Sequence, residues 1–141
     1  MAGTGFHPLL KHFSKWVNVK KAKPEDLLCS EITANLRQLV LSGQFNGVFF
    51  HVPNEGNAKL GHASKMIRKA IGVIPGAPDY VFANESGVLF VEIKTEKDKL
   101  STSQKAFQKW CNMSGVEYVV CRSWKELEKK LQKDIYFNDK N

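Results

Sequence analysis

The segment from residue 79 to residue 94 constrains the fold most, because it places two apolar runs on either side of a short polar turn. Residues 79 to 83 (DYVFA) and 88 to 94 (VLFVEIK) predict strands, and the four residues Asn84-Glu85-Ser86-Gly87 between them predict a β-hairpin. Apolar residues occur on both faces of each run, which is typical of strands buried on both sides of a sheet. The sequence therefore predicts that this hairpin lies at the centre of a sheet.

Two carboxylates occupy opposed positions in this hairpin. If Asn84 pairs with Gly87, the register sets Asp79 opposite Glu92, with Cβ atoms about 5 Å apart. Such a like-charge pair is destabilising by itself, and acids in apolar surroundings need compensation. A divalent cation held between the two carboxylates would supply it.

The residues that follow Glu92 extend this metal-site hypothesis. Lys94 lies on the same face as Glu92, where its ammonium group can orient a water molecule and stabilise charge on a phosphate. Ile93 points into the core, but its carbonyl can ligate Mg²⁺ or Mn²⁺, which prefer oxygen ligands. Taken singly, Asp79 is explained as a turn residue and Glu92 with Lys94 as a surface pair. Their combination favours a site for phosphodiester hydrolysis by metal-activated water.

The rest of the chain predicts an α/β domain. Helices are expected over about 24–42, 57–70, 102–114 and 124–133, and further strands over 47–52 and 116–121. The strand, helix and strand at the end favour a parallel pair with a right-handed crossover. In the first of these helices, Glu31 is expected to project inward between Leu27 and Leu28. An inward carboxylate requires a partner.

Three further polar positions have ordinary explanations. Ser101 and Gln104 form a capping-box pattern, which accounts for Gln104 without any chemistry. Glu55 follows Pro53-Asn54 in a loop, and His51 and His62 have no Cys or acid at metal-ligand spacing.

The formal net charge of +7 indicates a polyanionic partner such as nucleic acid or an acidic membrane surface. Most of the excess lies in residues 1–24, which hold five lysines and no acid. Inside the domain, a basic cluster gathers one histidine and four cations, and it is the candidate surface for phosphate contacts. Its members are Lys59, His62, Lys65, Arg68 and Lys69. A solvated helix face is the simpler explanation of such a run.

The N-terminal segment, residues 1–23, is basic and has the apolar spacing of an amphipathic helix. That stripe can pack on its own core, on a second subunit or at an acidic surface. Its apolar members are Phe6, Leu9, Leu10, Phe13, Trp16 and Val17. The three dispersed cysteines predict neither a disulfide framework nor a zinc site. No secretory signal or membrane span is expected, so the predicted location is cytoplasmic.

Four segments resemble the motifs of one nuclease family. They are HVPNEG (51–56), PGAPDY (75–80), FVEIKTEKDKLSTSQKAF (90–107) and VVCRSWKEL (119–127). In this order they resemble the virus-type replication-repair nuclease module, VRR-Nuc, a branch of the PD-(D/E)XK nuclease superfamily. The resemblance spans about residues 25–131.

The resemblance implies a restriction-endonuclease-like core of order α-β-β-β-α-β, with a mixed central sheet flanked by helices. Residue by residue, it implies that Asp79, Glu92 and the Ile93 carbonyl hold metal, that Lys94 is the catalytic lysine and that Gln104 is the glutamine of the following helix. Glu31 matches the first-helix acid of many such sites, and is expected both to ligate metal and to act in catalysis. Glu55 matches the Asn-Glu motif, with a less certain role.

The expected function is a Mg²⁺- or Mn²⁺-dependent DNA endonuclease. Stand-alone members of the family from phages and bacteria resemble structure-specific resolvases. The resemblance therefore implies a homodimer that cuts branched DNA such as four-way junctions in a bacterial or phage-infected cell. A less selective flap or restriction type of endonuclease, and a DNA-binding module without catalysis, are the alternatives. The expected boundaries are an N-terminal segment (1–23), a nuclease domain (24–135) and a C-terminal tail (136–141).

Overall fold

A computed structural model describes residues 7–15, 19–53 and 61–138 of the chain. Helices and strands alternate through most of these ranges, as the sequence predicts. In chain order they are α1 (Leu10–Ser14), α2 (Pro24–Leu41), β1 (Val48–His51), α3 (His62–Ala70), β2 (Tyr80–Asn84), β3 (Gly87–Ile93), α4 (Thr102–Ser114), β4 (Glu117–Cys121) and α5 (Trp124–Lys133).

The four strands form one mixed sheet in the order β1-β2-β3-β4. The pairs β1/β2 and β2/β3 are antiparallel, whereas β3 and β4 are parallel and are joined through α4. The predicted α-β-β-β-α-β core is therefore confirmed as α2-β1-β2-β3-α4-β4, with α3 inserted between β1 and β2. None of the helices in the described ranges is long and apolar enough to cross a membrane.

The hairpin register is the predicted one. Asn84 pairs with Gly87 and Val81 with Phe90, and the ladder ends at Tyr80 opposite Val91. The Asn84 side chain stabilises the turn, since its Oδ1 accepts a hydrogen bond from the Ser86 N–H at 2.8 Å. Asp79 thus lies one residue before the ladder, level with Glu92.

The two faces of the sheet are covered differently. On one face, α2 and α5 enclose the main core together with alternate residues of β2 and β3. This core contains Ile32, Leu36, Tyr80, Phe82, Leu89, Val91, Ile93, Cys121, Leu127, Leu131 and Tyr136. On the other face, Phe107 of α4 packs on Phe90, with ring centroids 5.9 Å apart. Helix α4 covers only the β3/β4 half of this second face.

Helix α2 buries a face that differs from the predicted one. Its buried residues are Ile32 and Leu36, while Leu27 and Glu31 are exposed. The predicted inward projection of Glu31 is therefore wrong. A helix turns by about 100° per residue, so the Glu31 side chain points about 100° away from that of Ile32. Glu25 lies seven residues before Ile32, and its side chain points within about 20° of the same direction.

Two segments outside the predicted nuclease domain contribute to its packing. In the N-terminal segment, Phe13 of the short helix α1 is buried and its ring centroid lies 6.0 Å from that of Phe49. The predicted stripe thus packs on the domain's own core at Phe13, while Phe6, Trp16 and Val17 lie outside the described residues. In the segment expected to be a tail, Tyr136 is buried and Phe137 forms a β-bridge with Phe45.

The approach to β2 is held against the start of α4. Gly76 has φ of 83°, a left-handed conformation that L-residues rarely adopt, and a Cβ at this position would collide with the backbone of Ser103. The sequence Pro75-Gly76 thereby fixes the distance between the Asp79 loop and the first turn of α4. Helix α4 ends at Ser114 and is capped by Gly115, which also has a left-handed φ of 72°.

Candidate active site

Three carboxylates meet at the end of the sheet where β3 stops. Glu25, Asp79 and Glu92 each present an oxygen within 4.8 Å of the other two. They come from the first turn of α2, the approach to β2 and the penultimate residue of β3. The predicted opposition of Asp79 and Glu92 is observed, and α2 contributes its acid through Glu25 rather than Glu31.

Asp79 is fixed by the backbone of the neighbouring strands. Its Oδ2 accepts a hydrogen bond from the Ile93 N–H at 2.7 Å, and its own carbonyl accepts one from the Val52 N–H at 2.7 Å. The side-chain hydrogen bond occupies one carboxylate oxygen and orients the other. Asp79 is therefore positioned by the sheet although it lies outside the β2 ladder.

Glu92 is the most buried of the three acids, with 1% of its surface exposed. Its Oε2 accepts a hydrogen bond from Gln104 Nε2 at 3.0 Å, whereas its Oε1 is inaccessible and has no hydrogen-bond partner among the described residues. Burial, followed by the charge of Asp79, raises the pKa of Glu92 well above its usual 4.5. A buried carboxylate oxygen without a donor favours a cation as its partner.

Lys94 is the cation that pairs with Glu92 among the described residues. Its Nζ lies 3.9 Å from Glu92 Oε2, and only 8% of the residue is exposed. The backbone of Lys94 extends the pairing with β4, since its N–H donates to the Cys121 carbonyl at 3.0 Å. Glu92 and Lys94 thus lie on one face of the sheet, as their spacing of two residues predicts.

Gln104 has two roles that the sequence presented as alternatives. Its Oε1 accepts a hydrogen bond from the Ser101 N–H at 2.8 Å, which completes the capping box of α4. Its Nε2 donates to Glu92 in the same conformation. Because the two ends of one amide serve the helix start and the acid, α4 and β3 are tied together at the site.

The backbone of Ile93 also faces this group. In a strand, the N–H and C=O of one residue point toward the same neighbouring strand. Since the Ile93 N–H donates to Asp79, its carbonyl is directed to the Asp79 side of β3 rather than to β4.

Arg122 was not identified as a site residue from the sequence. Its Nη1 donates to the carbonyls of Thr95 at 2.6 Å and Asp98 at 2.8 Å, which holds the loop that follows Lys94. The available signal was the VVCRSWKEL segment, which contains this arginine directly after β4.

Two acids predicted for the site are not part of it in the described structure. The Glu31 side chain is exposed on α2, and its backbone carbonyl accepts a hydrogen bond from Asn35 Nδ2. Glu55 lies outside the described residues. The missed acid, Glu25, had a readable signal, because it falls on the same helical stripe as Ile32 and Leu36.

The basic cluster lies mainly on α3. Lys65 and Lys69 are exposed, and Arg68 Nη2 makes a long hydrogen bond of 3.5 Å to the Pro53 carbonyl. Lys59 is outside the described residues. The chain enters α3 from the end of β1 and returns to Asp79, so this helix projects from the end of the sheet that carries the carboxylates.

The donor set fits a hard divalent cation. Three carboxylates and a backbone carbonyl are oxygen ligands of the kind that Mg²⁺ and Mn²⁺ bind, and the orphaned Glu92 Oε1 is a ready acceptor for one.

A family model described as the VRR-NUC domain matches residues 39–125. The match includes Asp79, Glu92, Lys94 and Gln104, and Glu25 lies before it. No curated protein and no solved structure matches the chain.

Proposed function

The chain belongs to the VRR-NUC domain family and is a nuclease acting on DNA, and we propose that it is a Mg²⁺- or Mn²⁺-dependent endonuclease that cuts branched DNA as a homodimer. One observation carries the metal dependence: three carboxylates present oxygens within 4.8 Å of one another, and the most buried of them, Glu92, has an oxygen without a hydrogen-bond donor among the described residues. Without a cation, this arrangement leaves like charges close together in a partly buried site, which is unfavourable.

Asp79, Glu92, Glu25 and the Ile93 carbonyl would hold the cation. A bound divalent cation supplies Lewis acidity toward a phosphodiester and makes a nearby water molecule more acidic. Asp79 and Glu92 are held in place before any ligand arrives, by the Ile93 N–H and the Gln104 amide respectively. This preorganisation reduces the reorganisation that catalysis requires.

Lys94 acts on the substrate side of the site. Its ammonium group lies beside Glu92 and is mostly withdrawn from solvent, so its charge is less screened than that of a surface lysine. We assign it the roles of orienting the attacking water and stabilising charge on the phosphate oxygens. Gln104 is a positioning residue, because it contacts Glu92 and the α4 backbone.

Cleavage of labelled four-way junctions, flaps and plain duplex in Mn²⁺ tests this function. Asp79→Asn should abolish cleavage, whereas Glu85→Gln in the exposed hairpin turn is the matched acid-to-amide control and should retain it. Absence of cleavage of every substrate, or undiminished cleavage by Asp79→Asn, would refute the metal-dependent mechanism.

The same experiment separates the two alternatives. Equal cleavage of junctions, flaps and duplex would identify a less selective endonuclease. DNA binding without turnover in Mg²⁺ or Mn²⁺ would identify a silent binding module, which the retained carboxylates, lysine and glutamine argue against.

An uncovered part of the sheet supports the homodimer. In register, Val48 lies level with Val88, and Phe50 lies level with Phe90, on the face that α4 covers only in part. Val48 is 65% exposed and Phe50 56% exposed. Val88, which is level with Val48 and 46% exposed, adds a third apolar side chain to this face, and exposed apolar patches mark association sites when they are large. A second copy of the chain is the occupant that we propose.

Light scattering tests the oligomeric state. Phe50→Glu should convert a dimer to a monomer, and Leu27→Glu, on the exposed face of α2, should leave the dimer intact. A dimeric junction resolvase should also make paired symmetric nicks. A strictly monomeric wild-type protein that cleaves junctions would contradict this part of the proposal.

The basic cluster on α3 is the proposed DNA-contacting surface. Lys65, Arg68 and Lys69 project from the site end of the sheet, and Lys59 belongs to the same run of sequence. Charge reversal at the three helical positions should weaken DNA binding and flatten its salt dependence. An unchanged salt slope would place the DNA surface elsewhere.

A further inference from the structure

A cavity lies on the α2 side of the sheet, at the end that carries the carboxylates. Its volume is about 370 Å³, and its lining includes Lys15, Asp26, Arg37, His51 and Tyr80. Three parts of the chain therefore form the cavity: the residue after α1, one side of α2, and the pair of His51 at the end of β1 with Tyr80 at the start of β2. None of the roles assigned above involves Lys15, Arg37 or His51.

Arg37 is the residue in this cavity that most needs a ligand. Its Nε is inaccessible to solvent and has no hydrogen-bond partner within the described parts of the chain. Asp26 also lines the cavity, but no ion pair joins it to Arg37 in those parts. Since Nε is inaccessible, the outer nitrogens of the Arg37 guanidinium are the donors that a ligand in the cavity can reach, and their planar arrangement matches the oxygens of a phosphate group.

The charge of the lining agrees with an anionic ligand. Two cations, Lys15 and Arg37, face one carboxylate, Asp26, and the neutral hydroxyl of Tyr80 is already committed to α2. That hydroxyl lies 2.6 Å from Thr33 Oγ1 and donates to the Cys29 carbonyl at 3.0 Å. The imidazole of His51 packs edge-on against the Tyr80 ring and adds a further donor.

The cavity is close to the carboxylates through the chain itself. Asp79 directly precedes Tyr80, so consecutive residues point to opposite faces of the sheet, one toward Glu92 and one toward the cavity. Cys29 also lines the cavity. Burial, followed by the negative charges of Asp79 and Glu25, raises the pKa of its thiol to about 12. The cavity and the carboxylate site therefore lie at the same end of the sheet, one residue apart in β2 and its approach.

We propose that this cavity is a binding pocket for a backbone phosphate of the DNA substrate, at a position separate from the carboxylate site, with Arg37 as the principal donor and Lys15 and His51 as its supports. The proposal rests on DNA being the substrate, and it assigns a phosphate contact distinct from the basic cluster on α3. Inorganic phosphate offers the same chemistry, so the test must separate the two sources.

Fluorescence anisotropy of labelled duplex over a salt series, in EDTA so that no cleavage occurs, is the primary measurement. Arg37→Gln should weaken binding and reduce the slope of log K against log salt by about 0.9 for the lost contact. Arg37→Lys should retain the slope because it keeps the charge. Lys129→Gln, an exposed lysine on α5, is the matched control and should change neither quantity.

Two further measurements keep the outcome decisive. If Arg37→Gln lowers the melting temperature, Lys15→Gln, at an exposed position, replaces it in the salt series. A second outcome is that inorganic phosphate raises the melting temperature of the wild type and not that of Arg37→Gln, while the salt slope of DNA binding stays unchanged. That pair of results would show a pocket for free phosphate and overturn the DNA assignment. Unchanged slopes with no phosphate effect would overturn the pocket altogether.

These results are separable from the fate of the nuclease mechanism. A reduced slope in a protein that fails to cleave in any metal would preserve the pocket and refute the endonuclease proposal. Normal metal-dependent cleavage, with the salt slope of DNA binding unchanged in both Arg37→Gln and Lys15→Gln, would support the endonuclease proposal and refute the pocket.

Discussion

Replacing Glu25 by Gln tests whether the acid from α2 belongs to the metal site. Glu31→Gln is the matched control, because it makes the same change on the same helix at a side chain that is exposed and apart from the group of three carboxylates. We expect Glu25→Gln to weaken metal binding and cleavage, and Glu31→Gln to leave both unchanged. The pair distinguishes the observed geometry from the position that the sequence predicted.

The expected magnitudes differ with and without metal. Two ionised carboxylates at the 4.8 Å limit of this cluster would repel by about 3.5 kcal/mol at an effective dielectric constant of about 20. Solvent around the half-buried Glu25 reduces this to about 1 kcal/mol or less. Loss of a negative charge from the first turn of α2 costs about 0.3–1 kcal/mol through the helix dipole. These effects oppose each other, so the free energy of unfolding in EDTA should change by less than about 1 kcal/mol.

Metal binding should change much more. Loss of an outer partner of a metal ligand typically costs about 10–100-fold in affinity, and loss of a direct carboxylate ligand should cost at least as much. At metal concentrations about 100 times the wild-type Kd, metal stabilises the wild type by about 2.7 kcal/mol, and a variant that binds about 100-fold more weakly by about 0.4 kcal/mol. At about 2–4 °C per kcal/mol, the Mn²⁺-induced rise in Tm should shrink by about 5–9 °C.

Thermal melts in EDTA and across a Mn²⁺ titration, with junction cleavage measured in parallel, provide the assay. The reasoning is refuted if Glu25→Gln keeps the full metal-induced rise in Tm, or if Glu31→Gln loses it. A large loss of Tm in EDTA for Glu25→Gln would instead indicate a structural role for this acid.

Three other substitutions have definite expected outcomes. Gly76→Ala should lower both Tm and cleavage, because the added Cβ displaces the α4 start that carries Gln104. Gly72→Ala has the same backbone strain of a positive φ but open space around it, so it should lower Tm less and leave cleavage unchanged. Equal effects in both variants would contradict the packing argument. Tyr80→Phe should destabilise by about 0.5–1.5 kcal/mol in urea unfolding, since it leaves the Thr33 hydroxyl and the Cys29 carbonyl without their partner. The Tyr118 hydroxyl has no hydrogen-bond partner among the described residues, so Tyr118→Phe should leave the free energy of unfolding unchanged or raise it. A larger loss of stability in Tyr118→Phe than in Tyr80→Phe would contradict the role given to the Tyr80 hydrogen bonds. Lys94→Gln should reduce cleavage at least about 100-fold, because one charge that stabilises the phosphate oxygens is lost, while the DNA affinity in EDTA should change little. Retained cleavage would exclude the catalytic role of Lys94.

Local patterns in the sequence account for the hairpin and the helix limits. Asn84 and Gly87 close the turn in the predicted register, and Ser101 with Gln104 starts α4 at the predicted place. Such features depend on neighbours within a few residues, which the sequence displays directly. The opposition of Asp79 and Glu92 follows from the same register, so the centre of the site was predictable.

Local patterns do not determine which acid of α2 joins the carboxylate site. Both Glu25 and Glu31 lie on a helix with apolar residues on several sides, and the wide stripe taken from the sequence included Leu27, which is exposed. Which acid enters the site depends on how the helix is rotated against the sheet. The packing of Ile32 and Leu36 into the core sets that rotation, and the Tyr80 hydroxyl links the same helix to β2.

The sequence by itself determined the order of the elements, the hairpin register and the set of chemical groups available to the site, because each depends on contacts between residues close in the chain. The tertiary structure decided which α2 acid joins that set, how Gln104 serves both a helix cap and Glu92, and that Arg37 lines a cavity beside Lys15 and His51. These features depend on the rotation and approach of whole elements. That arrangement is set by packing among residues far apart in the chain, which no local pattern records.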